Sequence, residues 1–321
     1  MPQALITDFA FPDLTFEQEV CDAAGVSLSS AQCRTSQDIA AIAGDADAVI
    51  VQFAKAGAEA IAAMKNARVI VRYGIGVDNV DLAAAAARGI PVCNVPDYCL
   101  EEVADHTLAF ILSLTRQIIP NARVVSEGGW KLASPVASMM CLRDLTVGVA
   151  GFGRIGREVV RRLVPFGCRI LVFDPVAPAA AIAELGAAPA TWDELVEQSD
   201  LLTLHCPSTP ATRGMINAEM LARTKKGCLL VNASRGDLIV TSDVIDALRA
   251  GILGGAAFDV TNPEPPAPDD PLRTMPNVII HSHIASVSPV AVRRLRQTAA
   301  ELAVAGILGR PLKNIVNGVT A

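Results

Sequence analysis

Short apolar runs recur along the first part of the chain, separated by stretches whose apolar residues fall at helical spacing. QALIT (3–7), DAVIVQ (47–52), ARVIVRYG (67–74) and IPVCNV (90–95) read as buried strands. Thr15 to Gly25 reads as a helix opened by a capping box between Thr15 and Gln18. A helical stretch lies around Ala58–Met64, and Asn79 is placed to cap a short helix, LAAAAAR, that ends at Gly89. A longer helix is predicted from Glu101 to Gln117, with Val103, Thr107, Leu108, Ile111 and Leu114 on one face. Its start gathers Glu101, Glu102 and Asp105, as the positive end of a helix dipole favours, and Pro120 marks its end or a kink.

A second alternating block begins at Leu145. LTVGVA (145–150) is a strand, Arg157 to Phe166 a helix stopped by Gly167, and RILVFD (169–174) the next strand. Thr191 and Glu194 form a capping box before a short helix. DLLTLHC (200–206), GCLLVN (227–232), GAAFDV (255–260) and NVIIH (277–281) are further strands, with a helix from Thr241 to Ala250 ended by Gly251. The proline-rich stretch 263–271 reads as a loop. Ser288-Pro289 reads as an N-cap and first-turn pair opening a last helix, with Val292, Leu295, Ala299, Leu302 and Ile307 on one face. Apolar strands alternating with helices predict an α/β protein whose parallel sheets are covered on both faces. At roughly one domain per ~150 residues, a chain of 321 residues suggests two.

Composition narrows the class. A net charge of −6 argues against a general nucleic-acid binder, which would carry a basic stripe. The eight cysteines are scattered with no CxxC, so they read as reduced core thiols of a cytoplasmic protein, and no metal site is expected. MPQALITDFAFPD lacks a basic start and is no signal peptide, and no apolar run is long enough to suggest a membrane span.

The sharpest chemical signal is Gly151-x-Gly153-x-x-Gly156, set between a strand and a helix. The first glycine permits a tight turn, the second lets backbone approach a pyrophosphate, and the third lets helix and strand pack closely. The N–H groups at the helix start then face the phosphates, and Arg154 and Ile155 lie within that turn. Asp174 stands eighteen residues past Gly156, at the end of the next strand. A carboxylate there accepts from ribose hydroxyls and repels a 2′-phosphate, which selects NAD over NADP.

VNASRGDLIVTSDVIDAL (231–248), FDVTNPEPP (258–266) and NVIIHSHIAS (277–286) resemble the signatures of the D-2-hydroxyacid dehydrogenase family. RYGIGVDNVD (72–81) and VCNVPDYCLEEVADHTLAFIL (92–112) extend the match in order, closest to the C-terminal-binding-protein and phosphoglycerate-dehydrogenase-like branches. The resemblance implies a flavodoxin-like substrate domain, residues 1–98 plus 289–321, and a Rossmann NAD-binding domain, residues 99–288, facing each other across a cleft. It makes His283 the general acid/base, Glu264 the carboxylate that favours the imidazolium, and Arg235 the guanidinium that holds the substrate. Arg72, Ile75 and Gly76 become substrate contacts; Thr107, Cys206, Pro207, Thr212, Ala233 and Asp259 become cofactor contacts, with Asp259 on the nicotinamide carboxamide. A homodimer is implied through the segment from Glu101 to about Leu142.

One departure stands out. The family carries Thr-Pro or Ser-Pro before its histidine, whereas this chain has His281-Ser282. His281 is a substrate contact or, in the plainer reading, a strand-end core residue. Two rival functions share the scaffold. A formate or phosphite dehydrogenase is one, although formate enzymes carry glutamine where this chain has Glu264. An NAD-sensing corepressor-like binding protein is the other, separated from an enzyme by steady turnover.

Overall fold

Residues alternate their direction along a strand, so a strand covered on both faces must be apolar at every position. That is the state of β3 (Ala48–Val51), and of β1 (Gln3–Ile6) and β4 (Val69–Arg72) apart from the half-buried Gln3 and Arg72 at their ends; these join β2 (Ser27–Ser30) and β5 (Val92–Cys93) in one parallel sheet. The strand order β2-β1-β3-β4-β5 is the flavodoxin-like order. Between the strands run α1 (Thr15–Ala23), α2 (Ser36–Ile42), α3 (Ala58–Ala63) and α4 (Leu82–Ala87). The structure, a computed structural model, describes residues 1–320.

Two expected caps move. Thr15 is the first helical residue of α1 rather than its cap; the Asp13 carboxylate accepts the Thr15 N–H at 3.0 Å, and Gln18 turns to Asp22. Asp81, not Asn79, caps α4 by accepting from the Ala84 N–H at 2.9 Å, while the Asn79 amide donates to the carbonyls of Gln52 and Ala54. A reciprocal capping box does open α2, between Thr35 and Asp38.

The second array opens with α5 (Leu100–Thr115) and α6 (Ile118–Ser126). The break between them falls at Gln117, in left-handed conformation, and Pro120 sits inside the first turn of α6, where its missing N–H costs nothing. Then follow β6 (Thr146–Ala150), α7 (Arg154–Leu163), β7 (Arg169–Phe173), α8 (Ala179–Glu184), β8 (Ala188–Pro189), α9 (Trp192–Gln198) and β9 (Leu201–Leu204). α10 (Ala218–Leu221), β10 (Cys228–Asn232), α11 (Thr241–Arg249), β11 (Leu253–Phe258) and β12 (Val278–Ile280) complete it. All pairings are parallel, in the order β12-β11-β10-β9-β6-β7-β8, so the order reverses beside β6 as in a Rossmann sheet. α7 begins three residues earlier than expected, directly at the glycine turn.

The core follows the alternation. Leu229 and Val231 of β10 join Leu108, Ile111, Val159 and Leu163 on one face. Cys228 and Leu230 join Leu195, Val244 and Leu248 on the other. The last helix, α12 (Pro289–Ile307), is capped by Ser288 as expected and packs on α1, β3 and β4. The chain thus forms two compact units, Met1–Tyr98 with the segment from Ser288 onward, and Cys99–Val287. In the first, Arg296 is buried and its guanidinium meets both Glu17 carboxylate oxygens at 2.8 and 2.7 Å.

Candidate active site

The end of β6 must turn sharply into α7, and three glycines make that possible. Gly151 takes φ +102°, and a Cβ there would lie 2.7 Å from the His205 carbonyl and 2.8 Å from the Cys206 nitrogen. At Gly156 a Cβ would overlap the Gly151 carbonyl oxygen, so the first turn of α7 sits directly against the loop. Gly153 differs: its Cβ would meet no protein atom within 4 Å, and its backbone is ordinary extended chain. No packing therefore requires Gly153 to be glycine. It caps a helix that has no side-chain cap and no acid in its first turn, leaving open N–H groups and an unopposed positive dipole. Those features fit a bound pyrophosphate.

Asp174 organises this turn. One carboxylate oxygen accepts the Phe152 N–H at 2.7 Å and the other accepts from Val176 and Ala177 at 2.9 and 3.0 Å. A carboxylate carries about four acceptor positions, so capacity remains for a ribose hydroxyl. Arg154 is exposed and Ile155 half-buried on the first turn of α7. Opposite Gly151, His205 is half-buried with its Nδ1 out of contact with solvent; burial lowers its pKa to about 3, and its ring meets the Thr203 hydroxyl at 2.9 Å. Burial also pushes the Cys206 thiol up to about 11, so it is no nucleophile at neutral pH. The Thr212 hydroxyl closes the next turn by donating to the Pro207 carbonyl at 2.7 Å. Ala233 is half-buried beside Ser234, whose hydroxyl reaches the Cys206 carbonyl at 2.6 Å. Thr107 is wholly buried in α5, its hydroxyl donating to the Val103 carbonyl.

The three proposed catalytic side chains come from turns after β10, β11 and β12. Arg235 follows β10, held by the Asn232 amide on its carbonyl at 2.8 Å. A Cβ at Gly236 would overlap the Thr261 carbonyl, so this turn lies against the segment leading into Glu264. Glu264 reaches His283, with Oε1 2.6 Å from Nδ1. A carboxylate only accepts, so Nδ1 carries the proton and Nε2 is left with a free lone pair. His283 is half-exposed with φ +57°, a left-handed conformation rare outside glycine.

What holds that backbone is Asp259. Its carbonyl accepts the His283 N–H at 2.8 Å, and its two carboxylate oxygens accept from Ile284 and Ala285 at 2.8 and 2.9 Å. Three consecutive N–H groups thus converge on one buried residue, a role the sequence did not reveal. The sequence also passed over His106. From α5 its Nε2 meets His281 Nδ1 at 2.8 Å, and both rings pack on Phe110. His281 therefore turns toward α5, whereas His283 turns to Glu264. Arg72, the last residue of β4, and Ile75 and Gly76 just after it belong to the first unit. There the Arg72 guanidinium covers the space a Gly74 side chain would need, and the Asn94 amide donates to the Ile75 carbonyl at 2.6 Å.

Residues 108–285 match the model of the D-isomer specific 2-hydroxyacid dehydrogenase NAD binding domain. The chain belongs to the D-isomer specific 2-hydroxyacid dehydrogenase family. Among its dehydrogenase relatives, D-3-phosphoglycerate dehydrogenase of Archaeoglobus fulgidus is 36% identical over 272 residues, 84% of this chain and 51% of that one. Glyoxylate reductase of Korarchaeum cryptofilum is 38% identical over 264 residues, 81% and 79% of the two chains. A solved D-lactate dehydrogenase from Aquifex aeolicus, complexed with NAD and lactic acid, superposes with a TM-score of 0.87 at 28% identity, covering 95% and 96%. The chain spans about half the length of the phosphoglycerate dehydrogenases it matches. Among the described residues, no helix is long and apolar enough to cross a membrane.

Proposed function

We propose that this dehydrogenase interconverts a small D-2-hydroxy acid and its 2-keto acid, with NAD as the hydride carrier. The observation that carries the reading is the 2.6 Å pairing of His283 Nδ1 with Glu264, in the same unit as the glycine turn. NAD bound at Gly151, Gly153, Gly156 and Asp174 supplies the acceptor or donor for hydride. In oxidation His283 Nε2 takes the substrate hydroxyl proton; in reduction the imidazolium returns it. Glu264 orients the ring by accepting the hydrogen bond of the Nδ1 proton. Arg235 holds the substrate carboxylate and polarises the adjacent carbonyl. Asp259 keeps the His283 backbone in its left-handed turn. Arg72, Ile75 and Gly76 are assigned to substrate recognition by their match to the family loop.

The chain is also proposed to act as a homodimer. α6 has no buried residue, and Ile118, Val125, Trp130, Leu132 and Val136 expose apolar surface along it and just beyond. Light scattering on the eluting protein reads the mass directly; a monomer would refute the assembly.

The function is tested by following NADH absorbance with glyoxylate, hydroxypyruvate, phosphohydroxypyruvate and longer 2-keto acids. One of them is expected to oxidise NADH, and His283→Ala is expected to abolish that turnover while NADH still binds. Undiminished rates in the variant would remove His283 from the chemistry. Binding of NADH with no turnover on any acid would favour the sensor function.

A further inference from the structure

His106, Asp259 and His281 come from α5, from the end of β11 and from the end of β12, and their side chains converge. His106 Nε2 lies 2.8 Å from His281 Nδ1 and 3.9 Å from Asp259 Oδ1. All three donor atoms fall within 4.8 Å of one another. Two imidazoles and one carboxylate are the donor set of many three-ligand zinc and divalent iron sites, which keep a position open for water. Ligands bonded at about 2.0–2.1 Å around a tetrahedral ion stand roughly 3.4 Å apart. The His106–His281 contact must lengthen, and the contacts of both rings with Asp259 close to about the same spacing, for an ion to enter.

We propose that His106 Nε2, His281 Nδ1 and Asp259 Oδ1 form a binding site for a divalent transition-metal ion of the zinc class. The site shares Asp259 with the dehydrogenase reading, since the same residue holds the His283 backbone, and it runs against the expectation of no metal. Three features beyond the donor set support it. The Asp259 carboxylate is 2% exposed and already oriented by the N–H groups of Ile284 and Ala285, the kind of outer support that metal ligands carry. The two rings meet nitrogen to nitrogen, so in their neutral forms a single proton lies between them, in the place an ion would take. A groove lined by Glu102, Asp105, Ala109, Ile284, Ala285 and Val287 reaches the cluster at His106. An ion there would clamp the segment leading into His283 onto α5. His281 is also where this chain departs from the Thr-Pro or Ser-Pro pattern, so the site rests on a residue of its own.

The experiment is equilibrium dialysis of the full chain against zinc chloride, with bound zinc read by mass spectrometry. One equivalent is expected to bind. His281→Gln and His106→Gln are each expected to weaken it by roughly a hundredfold, no less than loss of an outer-shell partner costs. His283→Gln, which removes the neighbouring histidine–carboxylate pair, and Cys141→Ser, which removes an exposed thiol, are expected to leave uptake unchanged. No stoichiometric uptake, uptake indifferent to His281→Gln, or uptake lost with His283→Gln would each overturn the proposal. Anomalous diffraction from zinc-soaked crystals of the unaltered chain gives a second reading free of any folding defect. A peak within bonding distance of all three atoms supports the site; a peak elsewhere, or none, removes it.

Discussion

The three glycines of the β6–α7 turn make a paired test, because only one of them is free of protein neighbours. At Gly156 an added methyl overlaps the Gly151 carbonyl oxygen and stands 3.1 Å from that carbonyl carbon and 3.6 Å from the His205 Cβ. These are mostly backbone atoms, so no rotamer change relieves them. α7 must retreat by about 1 Å to recover normal contact, loosening Val159, Val160 and Leu163 from the sheet. Overpacking of this kind costs about 3 kcal/mol. In a unit of this size each kcal/mol lowers the melting temperature by roughly 2–4 °C, giving a fall of roughly 6–12 °C for Gly156→Ala. Gly153→Ala meets nothing within 4 Å, at φ −69° and ψ −165°. The poorer cap and the reduced freedom of the unfolded chain nearly cancel, leaving stability within about 0.5 kcal/mol of the original. Its methyl instead enters the space assigned to the pyrophosphate, at a cost of about 2 kcal/mol, or roughly thirtyfold in NADH affinity. Circular dichroism melts and NADH fluorescence titrations read the two effects separately. If Gly153→Ala binds NADH as tightly as the parent, or melts as low as Gly156→Ala, the reasoning about ligand clearance is wrong.

Further outcomes follow from the same geometry. Asp174→Ala removes the carboxylate facing the ribose side and is expected to narrow the preference for NAD over NADP by roughly tenfold, about one charged hydrogen bond; an unchanged ratio in steady-state kinetics would place the contact elsewhere. Arg296→Met strands Glu17, which is 0% exposed, and should cost about 3–5 kcal/mol in urea unfolding, most of it recovered by adding Glu17→Leu; a loss under 1 kcal/mol would contradict this account of the pair. Burial lowers His205 from its ordinary 6.5 to about 3, so the fold requires the neutral ring. Its contribution is complete above about pH 6.5 and is lost as the pH falls toward 3, at up to about 1.4 kcal/mol per pH unit. His205→Gln should flatten that part of the stability–pH curve, and superimposable curves would show that the ring does not titrate as stated.

How far the sequence reached depended on whether a feature was local. The apolar runs of β3, β6, β9 and β10 declared themselves, because a strand buried on both faces is apolar at nearly every position. The glycine turn and Asp174 were legible for the same reason, since strand, turn and helix are contiguous. β2 (SLSS) and β8 (AP) left no such trace. They lie at the edges of their sheets, where less surface is covered and the pattern is not imposed. Caps were ambiguous because several polar residues stood near each helix start and only the backbone angles select one.

The site divides in the same way. His283, Glu264 and Arg235 were found through motifs, but the contact that makes the first two a pair spans nineteen residues and exists only after folding. Nothing near Asp259 announced that three N–H groups would converge on it. His106 and His281, 175 positions apart, carry no mutual signal in a linear chain. Sequence alone determined the alternating pattern, hence the sheets and the nucleotide turn, because hydrophobic burial and glycine geometry act on neighbours. Only the tertiary structure decided which polar side chains would share partners, because hydrogen bonding between distant groups is settled by where the strands end and not by what surrounds each residue in the chain.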